Sequence, residues 1–265
     1  MALFSTDCQF GACGGLAAPG MVRRMSKASQ LIAVIGAKGG AGASCLAAAI
    51  AHGYSTRGTS VVLVDLDTGG GGIETLLGIE SEPGARWPEM DAALGEVDGA
   101  GLMAALPRWA GVAVLSAARQ NPITLPDEVV LDICAGLLRN GETVVLDLPR
   151  PAAWTPAIRA LLADANQIYL ATPATITGVA GAVAVAGLVT EFSTRRRGPN
   201  CEIVLRTRRG NITHYAEVAE LVGWPVACQY RDDRDLAAGV ELGAGPLTRR
   251  SRLAKAGLQL VDLAA

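Results

Sequence analysis

The stretch Val34-Ile35-Gly36-Ala37-Lys38-Gly39-Gly40-Ala41-Gly42-Ala43-Ser44 has the residue types and spacing of a loop that grips phosphate. The general pattern is G-x-x-x-x-G-K-[ST], set between a strand and a helix, where backbone N–H groups and the helix N-terminus converge on an anion. Aligned on Gly42 and Ser44, the first glycine is Ala37 and the lysine is Ala43. Lys38 stands five residues before Ala43, inside a Lys-Gly-Gly-x-Gly turn. Gly39, Gly40 and Gly42 would let the backbone wrap phosphate oxygens, and the Ser44 hydroxyl can face Mg²⁺. The alternative is a Gly-rich strand–helix turn that binds nothing, with Ser44 capping the helix.

Two further segments supply acids. Val61-Val62-Leu63-Val64-Asp65-Leu66-Asp67 is a buried β run ending in two carboxylates at alternate positions, which puts both on one side of the strand end. Val144-Val145-Leu146-Asp147-Leu148-Pro149 ends the same way. Ligands of open α/β sheets bind outside the carboxyl ends of the strands. An aspartate at Asp147 is suited to hold Mg²⁺ through water beside bound phosphates. Either acid alone could face solvent; three motifs in this order describe a nucleotide site.

The elements that must position these residues alternate along the chain. Candidate strands are Leu31–Ile35, Ser60–Asp65, Val112–Leu115, Thr143–Asp147, Gln167–Ala171, Glu202–Leu205 and Val226–Gln229. Between them lie candidate helices Ser44–Arg57, Pro126–Arg139, Pro156–Ala163, Thr175–Thr194, Ile212–Val222 and Arg250–Leu263. Strand–helix alternation with continuous Val/Leu/Ile strands predicts an α/β fold: a doubly wound, mostly parallel sheet with helices on both faces. Residues 1–29 are rich in Gly, Ala and Ser and lack periodicity. They are expected to form a disordered leader, or to follow from a start placed too early, with Met21 and Met25 as internal starts. Residues 30–265 are expected to form one nucleotide-binding domain.

Composition narrows the classes. Half of the 265 residues are apolar and few are aromatic, so the core must be built from Ala, Val, Leu and Ile. A formal net charge of -2 argues against a general nucleic-acid binder. The clusters Arg195–Arg197, Arg206 to Arg209 and Arg249–Arg252 are short and read as solvated surface. Cys8 and Cys13 could form half a metal site, but Cys45, Cys134, Cys201 and Cys228 follow without paired spacing. Buried thiols in a reducing cytoplasm are the plainer reading. No apolar run reaches the ~18 residues of a membrane span. His52 and His214 lie beside no recognisable nucleophile pattern.

From about Leu31 onward these motifs resemble the ParA/MinD-type (deviant Walker A) P-loop ATPases. The resemblance implies ATP and Mg²⁺ as ligands and a homodimer that sandwiches nucleotide. The lysine matching Lys38 reaches across that dimer to the other subunit's nucleotide. The acid matching Asp67 lies near the attacking water, and the one matching Asp147 supports the metal. Tyr169-Leu170-Ala171-Thr172-Pro173 looks like the family's later strand ending in proline. Arg231-Asp232-Asp233, with Ala237 to Pro246, looks like its adenine-side "P-x-D…A…G…P" stretch, with Arg231 in place of proline. Arg206 stands near where an asparagine often contacts the base. The phosphate cradle would be Lys38, Gly39, Gly40, Ala41, Gly42, Ala43 and Ser44.

A small residue at position 43 is similar to the CpaE/TadZ branch, which positions pilus and secretion machinery. Gly70-Gly71-Gly72-Ile73-Glu74-Thr75-Leu76-Leu77-Gly78-Ile79-Glu80 and Pro83-Gly84-Ala85-Arg86-Trp87-Pro88 are more distinctive. With Ala105-Leu106-Pro107 and Asp147-Leu148-Pro149-Arg150, they resemble the actinobacterial septum-site-determining (Ssd) CpaE-like proteins. Those proteins commonly carry an additional N-terminal domain, whereas here a short leader precedes the first strand. The implied partners are septal or secretion and pilus assembly proteins, with no direct nucleic acid and only indirect membrane contact from the cytoplasm. Arg150 is open to two readings, a role opposite phosphate or plain surface charge, and Trp87 to two others, core packing or an exposed anchor.

The missing lysine weighs differently on binding and on turnover. A hydrogen bond to a charged group contributes roughly 1.5–3 kcal/mol, so its loss weakens binding about ten- to a hundredfold. Backbone N–H groups and Mg²⁺ remain, and millimolar ATP would still fill such a site. Cationic stabilisation of phosphoryl transfer is worth roughly 10³–10⁵ in rate. Binding with slow or absent hydrolysis is the expectation. The rival classes are a nucleotide-independent scaffold and a metabolic or metal-delivery ATPase, the latter weakened by Ala43 and by the lack of a paired Cys motif.

Overall fold

The computed structural model describes residues 29–90, 94–118, 124–192, 198–208, 215–233, 235–248 and 251–264. The leader, Met21, Met25, Cys8, Cys13, Arg195–Arg197, Arg209, His214, Arg249 and Arg250 lie outside the described residues.

The strands are β1 (Leu31–Gly36), β2 (Val61–Asp65), β3 (Arg108–Trp109), β4 (Val112–Leu115), β5 (Thr143–Asp147), β6 (Gln167–Pro173), β7 (Asn200–Thr207) and β8 (Val226–Arg231). They form one sheet in the order β3-β4-β2-β5-β1-β6-β7-β8. Every pairing is parallel except β3 with β4. The helices are α1 (Ala43–Thr56), α2 (Ile73–Leu77), α3 (Gly99–Ala105), α4 (Asp127–Arg139), α5 (Pro156–Asp164), α6 (Ile176–Phe192), α7 (Tyr215–Val222), α8 (Leu236–Glu241) and α9 (Arg252–Leu263). The expected α/β architecture is therefore the observed one.

Alternation along β1 explains why its sequence is apolar throughout. Leu31, Ala33 and Ile35 join the core under α4, α5 and α6, while Ile32 and Val34 join the core under α1 and α9. A strand buried on both faces has no polar side to show. Helix α1 lies deep for the same reason, with Leu46 through Ala51 all buried. It packs against α9 at a glycine: a Cβ on Gly53 would lie 3.0 Å from the Gly257 carbonyl oxygen.

All seven predicted strands are present: four are longer by one to four residues, two have the predicted bounds, and β2 is shorter by one residue. The short β3 is an addition. It turns back on β4 through Ala110 and Gly111, both at positive φ (46° and 85°), which is a tight hairpin. Two residues carry too little pattern to be seen as a strand. Helices α2, α3 and α8 are also additions, each of seven residues or fewer. Among the described residues no helix is long and apolar enough to cross a membrane.

Candidate phosphate-binding site

Strand β1 lies between β5 and β6, yet the chain leaves it through α1 for β2, on the far side of β5. That change of direction opens a crevice at the carboxyl ends of β1, β2 and β5. A cleft of about 380 Å³ occupies it. Its walls are the loop from Lys38 to Ser44, the acids Asp65, Asp67 and Asp147, the Gly70–Gly72 turn, and Arg150.

The loop is shaped by its backbone. The Ala37 N–H bonds the Ala171 carbonyl at 3.0 Å, and the Ala41 N–H closes a turn onto the Lys38 carbonyl at 3.1 Å. Gly42 then adopts the left-handed conformation (φ 93°, ψ 26°) and starts α1. A side chain would be strained there, so the pattern's glycine is required at this position. No side chain caps α1, which leaves its first-turn N–H groups facing the cleft mouth. Ser44 is thus not the helix cap of the alternative reading. Its hydroxyl is close enough to the Asp147 carboxylate to favour that group's charged form.

The acids sit at different depths. Asp147 and Asp65 are 2 % and 1 % exposed, whereas Asp67 is half-buried. The Asp65 oxygens accept N–H groups from Asp67 and Ile73, each at 3.0 Å, so this carboxylate ties the strand end to the start of α2. Burial pushes Asp65 up to about 6, with its backbone donors pulling the other way. Burial, and then the charge of Asp65, hold Asp147 well above the usual carboxylate range, against the pull of the nearby Ser44 hydroxyl. Two crowded carboxylates and a hydroxyl make a donor set that a hard cation would relieve. Among the described residues no cluster of three or more His, Cys, Asp or Glu forms a protein-only cage. Mg²⁺ takes few protein ligands and fills its sphere with water and phosphate oxygens, and Asp147 and Ser44 are the residues here that could hold it.

Lys38 and Arg150 are exposed at the rim of the cleft. Arg206 and Arg231 are not in its lining. Arg206 reaches the loop from behind, donating to the Gly40 and Ala41 carbonyls at 3.2 Å and pairing with Asp232 at 3.0 Å. Arg231 is exposed at the end of β8. Its neighbour Asp233 accepts from the Ser251 hydroxyl and the Leu253 N–H, fastening the stretch to the start of α9.

The sequence did not reveal what the distinctive 83–88 motif does. Arg86 is buried and pairs with buried Glu74 of α2 at 3.0 Å. Its other donors hold the carbonyls of Gly84, Ile79 and Glu82. Trp87 is fully buried, not an exposed anchor, and its indole N–H bonds the Asp65 carbonyl at 2.7 Å. The motif therefore braces Asp65 and α2 from beneath. A Glu and an Arg twelve residues apart, joined by no helical or strand period, gave no signal of that pairing.

Known proteins resemble this chain in sequence and in fold. The ParA family model, described as an NUBPL iron-transfer P-loop NTPase, matches residues 27–97. The uncharacterized protein Rv3660c of Mycobacterium tuberculosis is 36% identical over 253 residues, covering 92% of this chain and 69% of that protein. The ParA family ATPase of Chlorobium tepidum TLS superposes with a TM-score of 0.73 at 17% identity, over 87% of this chain and 96% of that one. The septum site-determining protein MinD of Pyrococcus horikoshii, complexed with Mg-ADP, superposes at 0.70 and 14% identity, over 89% and 96%. With the cleft, its loop and its strand-end acids in place, the chain belongs to one family with Rv3660c, matches the ParA P-loop NTPase model over residues 27–97, and has the fold of the ParA/MinD P-loop NTPases.

Proposed function

We propose that the protein is a nucleotide-dependent positioning factor of the CpaE/TadZ-like branch, related to septum-site-determining proteins. It binds ATP·Mg²⁺ in the cleft and acts in cell division or in localising pilus or secretion machinery. One observation carries the reading: a cleft lined by the glycine loop and by Asp65, Asp67 and Asp147, in which Ala43 stands where the lysine would be. The loop backbone from Gly39 to Ser44 would cradle the phosphates. Mg²⁺ would be held by the Ser44 hydroxyl, with Asp147 behind it through water, supplying positive charge to the phosphate oxygens. Asp67, half-buried at the cleft, would orient water.

Exposed Lys38 would complete the site of a second copy in a nucleotide-sandwich homodimer, whose surface recruits septal or secretion components from the cytoplasm. Any membrane contact would pass through those partners. With one cation missing, turnover would be slow or absent. A nucleotide-independent scaffold with the same dimer surface is the second reading, favoured by Ala43 alone.

Calorimetry and light scattering with ATP·Mg²⁺, on wild type and Lys38→Ala, test the reading. Wild type should bind and double its mass, and Lys38→Ala should bind more weakly and stay monomeric. No binding by the wild type at millimolar ATP would replace the switch with the scaffold. Binding without a change in mass would remove the dimer, and fast turnover would contradict the role given to Ala43.

A further inference from the structure

Arg206 is in direct contact with the loop, and its position is fixed by the sheet. It pairs in register with Pro173 of β6 and Tyr230 of β8, and its carbonyl accepts the Ala174 N–H at 2.8 Å. From there Nη1 donates to the Gly40 and Ala41 carbonyls, each at 3.2 Å. Nε faces one Asp232 oxygen at 3.0 Å, and the other Asp232 oxygen takes Arg208 Nε at 2.6 Å. The Arg206 side chain is only 19% exposed.

Peptide planarity turns this contact into an aim. The Ala41 C=O and the Gly42 N–H belong to one trans peptide and point in opposite directions. Holding the carbonyl on a guanidinium behind the loop therefore directs the Gly42 N–H toward the cleft, which Gly42 lines. A charged donor on the carbonyl also polarises the peptide and strengthens its N–H as a donor. The guanidinium needs the room that glycine leaves: a Cβ on Gly42 would lie 3.1 Å from Arg206 Nη1.

We propose that Arg206 is a positioning residue for phosphate, aiming the Gly42 N–H and placing a positive charge behind a loop that lacks a lysine at position 43. It acts through the loop and touches neither base nor phosphate. The proposal rests on the nucleotide reading above.

The experiment is calorimetry with ATP, ADP and AMP in the presence of Mg²⁺ on wild type, Arg206→Lys and Arg206→Met, with thermal midpoints in parallel. Arg206→Met should weaken ATP about tenfold or more, ADP less and AMP least, with Arg206→Lys between it and wild type. Equal losses for all three nucleotides, or no loss, would overturn the proposal. If wild type binds no nucleotide, the nucleotide reading fails and the loop itself is read by amide exchange of the ligand-free protein. Arg206→Met should then speed exchange at residues 40–44 without a matching fall in thermal midpoint. Unchanged rates there would overturn the clamp.

Discussion

Asp65 and Asp147 are register partners on β2 and β5, so two buried carboxylates stand side by side at the ligand edge of the sheet. The adjacency follows from the strand order, which inserts β5 between β1 and β2. It makes the ligand-free site electrostatically costly, and a bound cation would offset that cost.

Replacing Asp147 by Asn should separate stability from ligand binding. Without metal, the variant should be more stable than wild type at pH 8 by roughly 1–3 kcal/mol, because a buried charge beside Asp65 is gone. Its Mg²⁺-dependent nucleotide binding should fall. The pH dependence has a defined sign. Between 3.8 and about 6 the folded protein keeps an Asp65 proton that the unfolded chain has released. The stability from this group is full below that window and lost as pH rises through it. Urea denaturation from pH 4 to 8 in chelator reads both effects. A less stable variant at pH 8 would contradict the repulsion between the pair.

Restoring the lysine is the complementary change. Ala43 lines the cleft, so Ala43→Lys places an ammonium among the loop N–H groups. ATP affinity should rise about tenfold to a hundredfold, and hydrolysis, measured as phosphate release, should rise with it. An unchanged affinity would mean that the cleft is not shaped for triphosphate.

Arg86→Leu should be among the most damaging changes outside the cleft. Its partner Glu74 has a side chain 7% exposed, and removing one member of a buried ion pair costs about 3–5 kcal/mol. The double variant Glu74→Leu/Arg86→Leu should recover part of the loss. Recovery should be incomplete, because the carbonyls of Glu82 and Gly84 still lack the Arg86 donor and Ile79 keeps only the Glu82 N–H. Chemical denaturation checks the ordering; a single variant within 1 kcal/mol of wild type, about the size of an ordinary surface change, would refute it.

The frame of the molecule was readable because burial on both faces writes itself as unbroken apolar runs, as at Leu31–Ile35 and Thr143–Asp147. The cleft was readable because its parts sit at strand ends in a fixed order. What escaped was non-periodic. Asp65 was visible as one of a pair, but not as the group that collects the N–H of Ile73. Arg206 was expected near a base on the strength of resemblance, whereas its donors lie on loop carbonyls 165 and 166 residues away in sequence. Arg86 and Glu74 meet only because β2 and the turn after α2 bring them together. Such contacts are made by topology, and no local pattern records them.

The strand order also sets a timetable for building the site. β1 pairs with β5 through Leu31 and Val144, and with β6 through Ile32 and Gln167. A ribosome therefore produces the loop after β1 before either neighbouring strand, and β1 has no native partner until more than a hundred further residues exist. Closing such long separations is slow, and the apolar segment 31–36 stays unpaired meanwhile. The loop is therefore made well before Asp147, the last of the three acids lining the cleft, and newly made chains pass through an interval in which the loop exists and the cleft does not.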